Sequence, residues 1–193
     1  VCFTRAKLCP GDAVKVINLP EELKADMTHR YSLNGFRLFR LPTPKQKSVV
    51  GILGPNGIGK STAINLLSGS VMPNLGDWID PPTDWGDIIS TFPRGELRDY
   101  LILLSEGEIK IAVKPQYIDK LPKLWSGKVS GLLERVDDSG ELEKYAELIG
   151  INHLLDRNLD ALSGGELQRV AICATILKDA DVYFFDEPSS YLD

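Results

Sequence analysis

Gly54-Pro55-Asn56-Gly57-Ile58-Gly59-Lys60-Ser61 is the stretch that decides how the chain is read. Gly54 and Gly59 bracket four residues and are followed by Lys and Ser, the spacing of a phosphate-binding loop. Ahead of it, Ser48-Val49-Val50-Gly51-Ile52-Leu53 reads as a buried parallel strand, and behind it Thr62-Ala63-Ile64-Asn65-Leu66-Leu67 has helical apolar spacing, with Gly69 as a stop. Strand, glycine-rich loop and helix in that order predict an α/β fold. An ordinary glycine-rich turn between strand and helix is the bland alternative, and the flanking elements weigh against it. In such a loop successive backbone N–H groups turn inward around a polyphosphate and the helix N-terminus adds positive potential. Lys60 then reaches the terminal phosphates and the Ser61 hydroxyl can ligate Mg²⁺.

The composition sets outer limits. Of 193 residues, 43% are hydrophobic and 25% charged, which excludes a disordered, collagenous or fibrous chain. A formal net charge of -5 gives little general attraction for nucleic acid, so any RNA contact has to come from a local basic patch. Apolar runs such as Val182-Tyr183-Phe184-Phe185 are far shorter than the roughly 20 residues a bilayer demands. The first residues lack the basic-then-apolar pattern of a signal peptide. Cysteines stand only at positions 2, 9 and 173, an odd, sparse set that suggests no disulfide framework. The expectation is a cytoplasmic protein without membrane insertion.

Working outward, residues 40–47, with Pro42 and Pro44, form a turn into the first strand. Residues 85–106 contain two apolar stretches separated near Pro93-Arg94-Gly95 and read as a helix-turn-helix-like insertion. A strand follows at 109–113, and residues 141–149 form an amphipathic helix with Leu142, Tyr145, Ala146 and Ile149 on one face. The last strand, 182–185, ends in Asp186-Glu187. Ligands of open α/β sheets bind at the carboxyl edge of the strands. There Asp186 can hold Mg²⁺ and Glu187 can polarise an attacking water. Taken alone the pair could be a solvated strand end; beside the phosphate loop it reads as functional. In Leu162-Ser163-Gly164-Gly165-Glu166-Leu167-Gln168-Arg169, Ser163 and Glu166 have capping-box spacing, and Leu167, Val170, Ala171, Ala174 and Leu177 form a buried stripe. Two glycines in a first helical turn cost about 1 kcal/mol each relative to Ala and leave backbone N–H groups bare for an anion, a second phosphate-facing surface.

These motifs together resemble the ATP-binding cassette (ABC) superfamily, with residues 54–61 as Walker A, Gln116 in Lys114-Pro115-Gln116-Tyr117 as the Q-loop, residues 162–169 as the signature and Phe185-Asp186-Glu187-Pro188 as Walker B. More narrowly, His29-Arg30-Tyr31, Leu41-Pro42-Thr43-Pro44, Asn56-Gly57-Ile58-Gly59-Lys60-Ser61-Thr62 and Ser189-Ser190-Tyr191-Leu192-Asp193 resemble the first cassette of its E subfamily, the RNase L inhibitor or ribosome-recycling ATPase family. The resemblance implies a P-loop NTPase of the ABC nucleotide-binding type and hydrolysis of ATP. It implies catalytic roles for Lys60, Gln116 and Glu187, and ATP contacts from Gly54, Pro55, Asn56, Gly57, Ile58, Gly59, Lys60, Ser61, Thr62 and Gln116. Adenine would lie against Tyr31 and Phe36 of the linker, both of which could equally be packing residues. Mg²⁺ would be held by Ser61, Gln116 and Asp186, and Ser163, Gly164, Gly165 and Glu166 would face the ATP of a partner. Partners would be a second cassette, from another copy or a full-length relative, and the small ribosomal subunit with its RNA.

The same resemblance divides the chain into a ferredoxin-like remnant at 1–20, a linker at 21–47 and a cassette at 48–193, with the insertion at 85–106 turned toward ribosomal RNA. There Arg94 and Arg98 are diluted by Glu96 and Asp99. Cys2 and Cys9 fall on ligand positions of the family's second [4Fe-4S] cluster, but a third position is Arg5, which cannot bind iron; no intact cluster is expected. A strand and switch histidine would follow Walker B in this family, and the chain stops at Asp193, so hydrolysis is expected to be slow or absent in this chain alone. A non-catalytic ribosome-binding or heterodimerising modulator is the competing reading, and the nucleotide-binding subunit of a transporter a third.

Overall fold

The structure, a computed structural model, describes residues 27–114 and 116–192. The segment expected to be a ferredoxin-like remnant, with Cys2, Arg5 and Cys9, lies outside the described residues, as do Pro115 and Asp193.

The described chain opens with an antiparallel hairpin of β1 (His29–Arg30) and β2 (Arg37–Leu38), in which His29 faces Leu38. Its closing loop holds Asn34-Gly35 and displays Tyr31 and Phe36. Asn74 fastens the hairpin: its side chain accepts from the Arg30 amide at 2.8 Å and donates to the Arg30 carbonyl at 2.6 Å.

After the phosphate loop comes α1 (Lys60–Leu67), which buries Ala63, Ile64, Leu66 and Leu67. Residues 85–106 hold two helices, α2 (Trp85–Thr91) and α3 (Glu96–Glu106), broken by extended Phe92. Asp84 caps α2 by accepting from the Asp87 amide, and Gly107 ends α3 in a left-handed turn. Leu66, Leu67, Ile89 and Leu101 share one core, which the buried Tyr100 enters with its hydroxyl donating to the Leu67 carbonyl at 2.6 Å.

Two parallel strands, β3 (Ile111–Lys114) and β4 (Val182–Phe185), pair in register from Ile111 opposite Val182 to Lys114 opposite Phe185. Between them come the short α4 (Leu121–Leu124), then α5 (Val129–Val136), α6 (Leu142–Ile149) and α7 (Gly164–Ile176). These helices build a second core around Val129, Leu133, Ala146, Val170 and Cys173. Burial pushes the Cys173 thiol up to about 11, so it behaves as packing.

One expectation needs correcting. Residues 48–53 do not form a buried strand: Val49 is 100% and Leu53 94% exposed. An extended run becomes a strand only when a neighbour supplies its hydrogen-bond ladder, and among the described residues the parallel sheet consists of β3 and β4 alone.

Candidate nucleotide site

The phosphate loop meets α1 without a side-chain cap. Gly59 occupies the N-cap position at φ 98°, and no side-chain cap hydrogen bond is made there. The first amides of the helix are therefore available to an anion, where the helix dipole favours negative charge. Residues 54–58 are exposed, and Gly57 has φ 82°. The Lys60 ammonium folds back over the loop and donates to the carbonyls of Gly54 at 2.9 Å and Pro55 at 3.1 Å. An incoming phosphate would exchange those neutral acceptors for charged ones, which accept stronger bonds. Ser61 and Thr62 sit half-buried behind Lys60.

Two aromatic residues reach this loop from the hairpin. Phe36 lies so close over Gly59 that any side chain there would run into its ring. The Tyr31 hydroxyl is 3.4 Å from that of Thr62, and its ring meets His29 edge-on, with centroids 4.9 Å apart. Tyr31 remains half exposed. Thus Tyr31, Phe36, Gly59 and Thr62 come together from two segments.

Asp186 is buried and Glu187 half-buried immediately beyond β4. The parallel register of β3 and β4 sends Gln116 and Asp186 out from the same carboxyl end of the sheet. No hydrogen bond between the phosphate loop and Asp186 or Glu187 occurs among the described residues. They are related through the core, where Val182 and Phe184 of β4 pack on the cluster containing Leu66 and Leu67 of α1. The donors fit a magnesium nucleotide. Hydroxyl and carboxylate oxygens are the hard ligands Mg²⁺ takes, and one or two protein oxygens suffice where phosphates supply others. No group of three or more His, Cys, Asp or Glu gathers among the described residues.

At the signature the capping box is formed: the Ser163 side chain accepts from the Glu166 amide at 3.3 Å and Glu166 accepts from the Ser163 amide at 2.7 Å. That backbone bond, then the Ser163 side chain, hold the Glu166 carboxyl below the usual glutamate range. Arg157 adds an ion pair at 3.0 Å. The paired glycines also have a packing reason that their sequence did not reveal: a methyl on Gly165 would come 2.7 Å from the Tyr191 carbonyl, and Gly164 abuts the Tyr191 ring.

Residues 43–190 match the family model described as ABC transporter. The chain belongs to the ABC transporter family. Within this ABC family the chain resembles proteins of the E subfamily. It is 47% identical over 192 residues to "Protein Pixie" of Drosophila melanogaster and 48% identical over 197 residues to "Translation initiation factor RLI1" of Saccharomyces cerevisiae, both alignments covering 100% of this chain but only 31% and 32% of those proteins. The chain thus spans about a third of the length of these relatives. Among solved structures it resembles an archaeal ribosome recycling factor determined in complex with ribosomal stalk protein aP1, with TM-score 0.83 and 49% identity over 90% of this chain and 33% of that one. Despite the family's title, no helix among the described residues is long and apolar enough to cross a membrane.

The ABC motifs do not account for every polar group at the end of β4. Lys114 and Gln168 are both 1% exposed, and each hydrogen-bonds the turn that follows Asp186. The sequence reading passed over both: Lys114 as a residue beside the Q-loop, Gln168 as one letter of the signature. A charged residue ending a strand between apolar neighbours was the one available signal.

Proposed function

We propose that this chain is a magnesium-ATP-binding cassette of the E subfamily and that the protein to which it corresponds works in translation and ribosome recycling, in the cytoplasm. The observation that carries the nucleotide reading is the uncapped first turn of α1, with Lys60 over the loop and Tyr31 and Phe36 clustered beside it. The translational reading is supported by the relatives, which are named as a translation initiation factor and a ribosome recycling factor.

In this reading the amides of residues 57–61 bind the phosphates and Lys60 neutralises their charge. Ser61, Asp186 and Gln116 hold Mg²⁺, which when bound neutralises charge on the phosphates and aligns them for attack by water. Glu187 accepts the proton of that water, and Tyr31 and Phe36 take the adenine. Ser163, Gly164, Gly165 and Glu166 face the nucleotide of a second cassette, from another copy or a full-length relative. We assign residues 1–20 to a ferredoxin-like segment in which Arg5 occupies a cluster-ligand position, 21–47 to the linker and 48–193 to the cassette.

For the insertion, Asp87, Glu96, Asp99 and Glu106 outnumber Arg94 and Arg98, and Arg98 donates to the Phe92 carbonyl at 3.5 Å. Contact with ribosomal RNA would therefore centre on exposed Arg94. Calorimetry with magnesium ATP tests the central reading. Lys60→Ala should weaken binding by about 10- to 100-fold, since hydrogen bonds to charged groups are worth roughly 1.5–3 kcal/mol. Equal affinity in folded wild type and variant would overturn it.

A further inference from the structure

Three successive carbonyls, of Asp186, Glu187 and Pro188, are captured by two buried side chains. The Lys114 ammonium donates to the Asp186 carbonyl at 2.9 Å, and the Gln168 amide donates to those of Glu187 and Pro188, each at 2.9 Å. Lys114 comes from the end of β3 and Gln168 from the second turn of α7, so the turn is gripped from both sides. We propose that Lys114 and Gln168 are positioning residues that fix where the Asp186 and Glu187 carboxylates stand.

Burying an ammonium and an amide is costly, and apolar side chains of similar size would fill the same volume at lower cost. What these two supply is donors. The turn needs them because Glu187 adopts φ 45°, a left-handed conformation that an L-residue with a β-carbon disfavours unless its surroundings enforce it. With three carbonyls held, the Cα–Cβ directions of Asp186 and Glu187 are set. Ser190 completes the arrangement by donating from its hydroxyl to Glu187 Oε2 at 3.2 Å.

This inference rests on the proposed reading that Asp186 and Glu187 serve a magnesium nucleotide. The test is binding: the affinity of the full chain for a non-hydrolysable ATP analogue, measured with Mg²⁺ and again in EDTA. The ratio of the two affinities isolates the metal's contribution. Gln168→Met and Lys114→Met should cut that ratio by about tenfold, toward the value for Asp186→Asn, while leaving EDTA affinity unchanged. Lys114→Arg, which keeps a donor, should restore it. Gln168→Asn, one methylene short of both carbonyls, carries the same expectation as Gln168→Met should that variant fail to fold. An unchanged ratio in folded variants, or affinities that fall together with and without metal, overturns the positioning role. Wild-type chain that binds no analogue at all overturns the nucleotide reading, and this inference with it.

Discussion

The contact between Phe36 and Gly59 can be weighed by comparing alanine at two glycines of one loop. Gly57 and Gly59 both have positive φ, 82° and 98°, but a methyl at Gly57 would meet nothing within 4 Å, whereas at Gly59 it would strike the Phe36 ring. The left-handed conformation costs an alanine roughly 1–2 kcal/mol at either site. Alanine recovers about 0.4–1 kcal/mol by restricting the unfolded chain, again at both. Those terms cancel in the comparison, leaving Gly57→Ala about 1 kcal/mol less stable than wild type. Gly59→Ala must in addition expel a half-buried phenyl ring. Full burial of such a side chain contributes roughly 1.5–3 kcal/mol, so half of it adds about 1 kcal/mol. For a chain of this length the expected falls in Tm are about 3 °C for Gly57→Ala and about 6 °C for Gly59→Ala. The assay is urea and thermal unfolding of both variants, repeated in a Phe36→Ala background, where the difference should shrink to within about 0.5 kcal/mol. Equal losses in the wild-type background, or a difference that survives removal of the ring, would refute the claim that the linker hairpin is seated on the phosphate loop.

Other consequences follow from burial and capping. Burial lowers the His29 pKa from 6.5, against a smaller opposing bond with the Met72 backbone. The unfolded state then binds more protons, so stability should fall as pH drops through 6.5 and level off below the folded value; His29→Gln should flatten that slope in thermal melts. Leu133 is fully buried, and Leu133→Ala should cost about 3 kcal/mol, roughly 9 °C in Tm, in differential scanning calorimetry. Ser163→Ala should lose about 1 kcal/mol with the cap of α7, read as a shift in urea midpoint. The depressed Glu166 carboxyl stabilises the fold above the usual glutamate range, and that contribution should disappear as pH falls through its lower folded value, a component that acid titration of Glu166→Gln should lack.

What the sequence made legible was local. The loop at 54–61, the cap at Ser163 and Glu166, the two insertion helices and the strand ending at Phe185 each announce themselves within a dozen residues, because capping, glycine conformations and apolar periodicity are short-range effects. The helix at Val129–Val136 was missed although Val129, Leu132, Leu133 and Val136 keep helical spacing: it is only eight residues long with Gly131 inside, too short to stand alone, and its support comes from burying Val129 and Leu133 against distant α7. The run at 48–53 failed as a strand for the converse reason. Its β-branched residues give it the propensity, but a strand's stability belongs to the neighbour that pairs with it. Lys114 and Gln168 were hidden because their partners are backbone carbonyls 72, 19 and 20 residues away, and backbone leaves no mark in sequence.

The end of β4 matters because it lies where the two cores of the described residues meet. The phosphate helix α1 packs with α2 and α3, and Val182 and Phe184 project from β4 into that cluster. The signature helix α7 packs with α5 and α6 in the other. Gln168 leaves α7 to grip the two residues just beyond Asp186, while Lys114 grips Asp186 from the neighbouring strand, so the junction of the two cores coincides with the candidate metal and water-activating carboxylates. A nucleotide that draws on Asp186 and Glu187 would pull on Gln168, and thereby on the helix whose first turn carries Ser163 and Gly164. Energetic coupling between two sites requires an element that both of them bias. The turn at residues 186–188 has the contacts to be that element, and hydrogen exchange at the first amides of α7 with and without magnesium nucleotide would measure it. Exchange rates there that do not respond to a bound nucleotide would separate the two cores energetically, whatever their contacts.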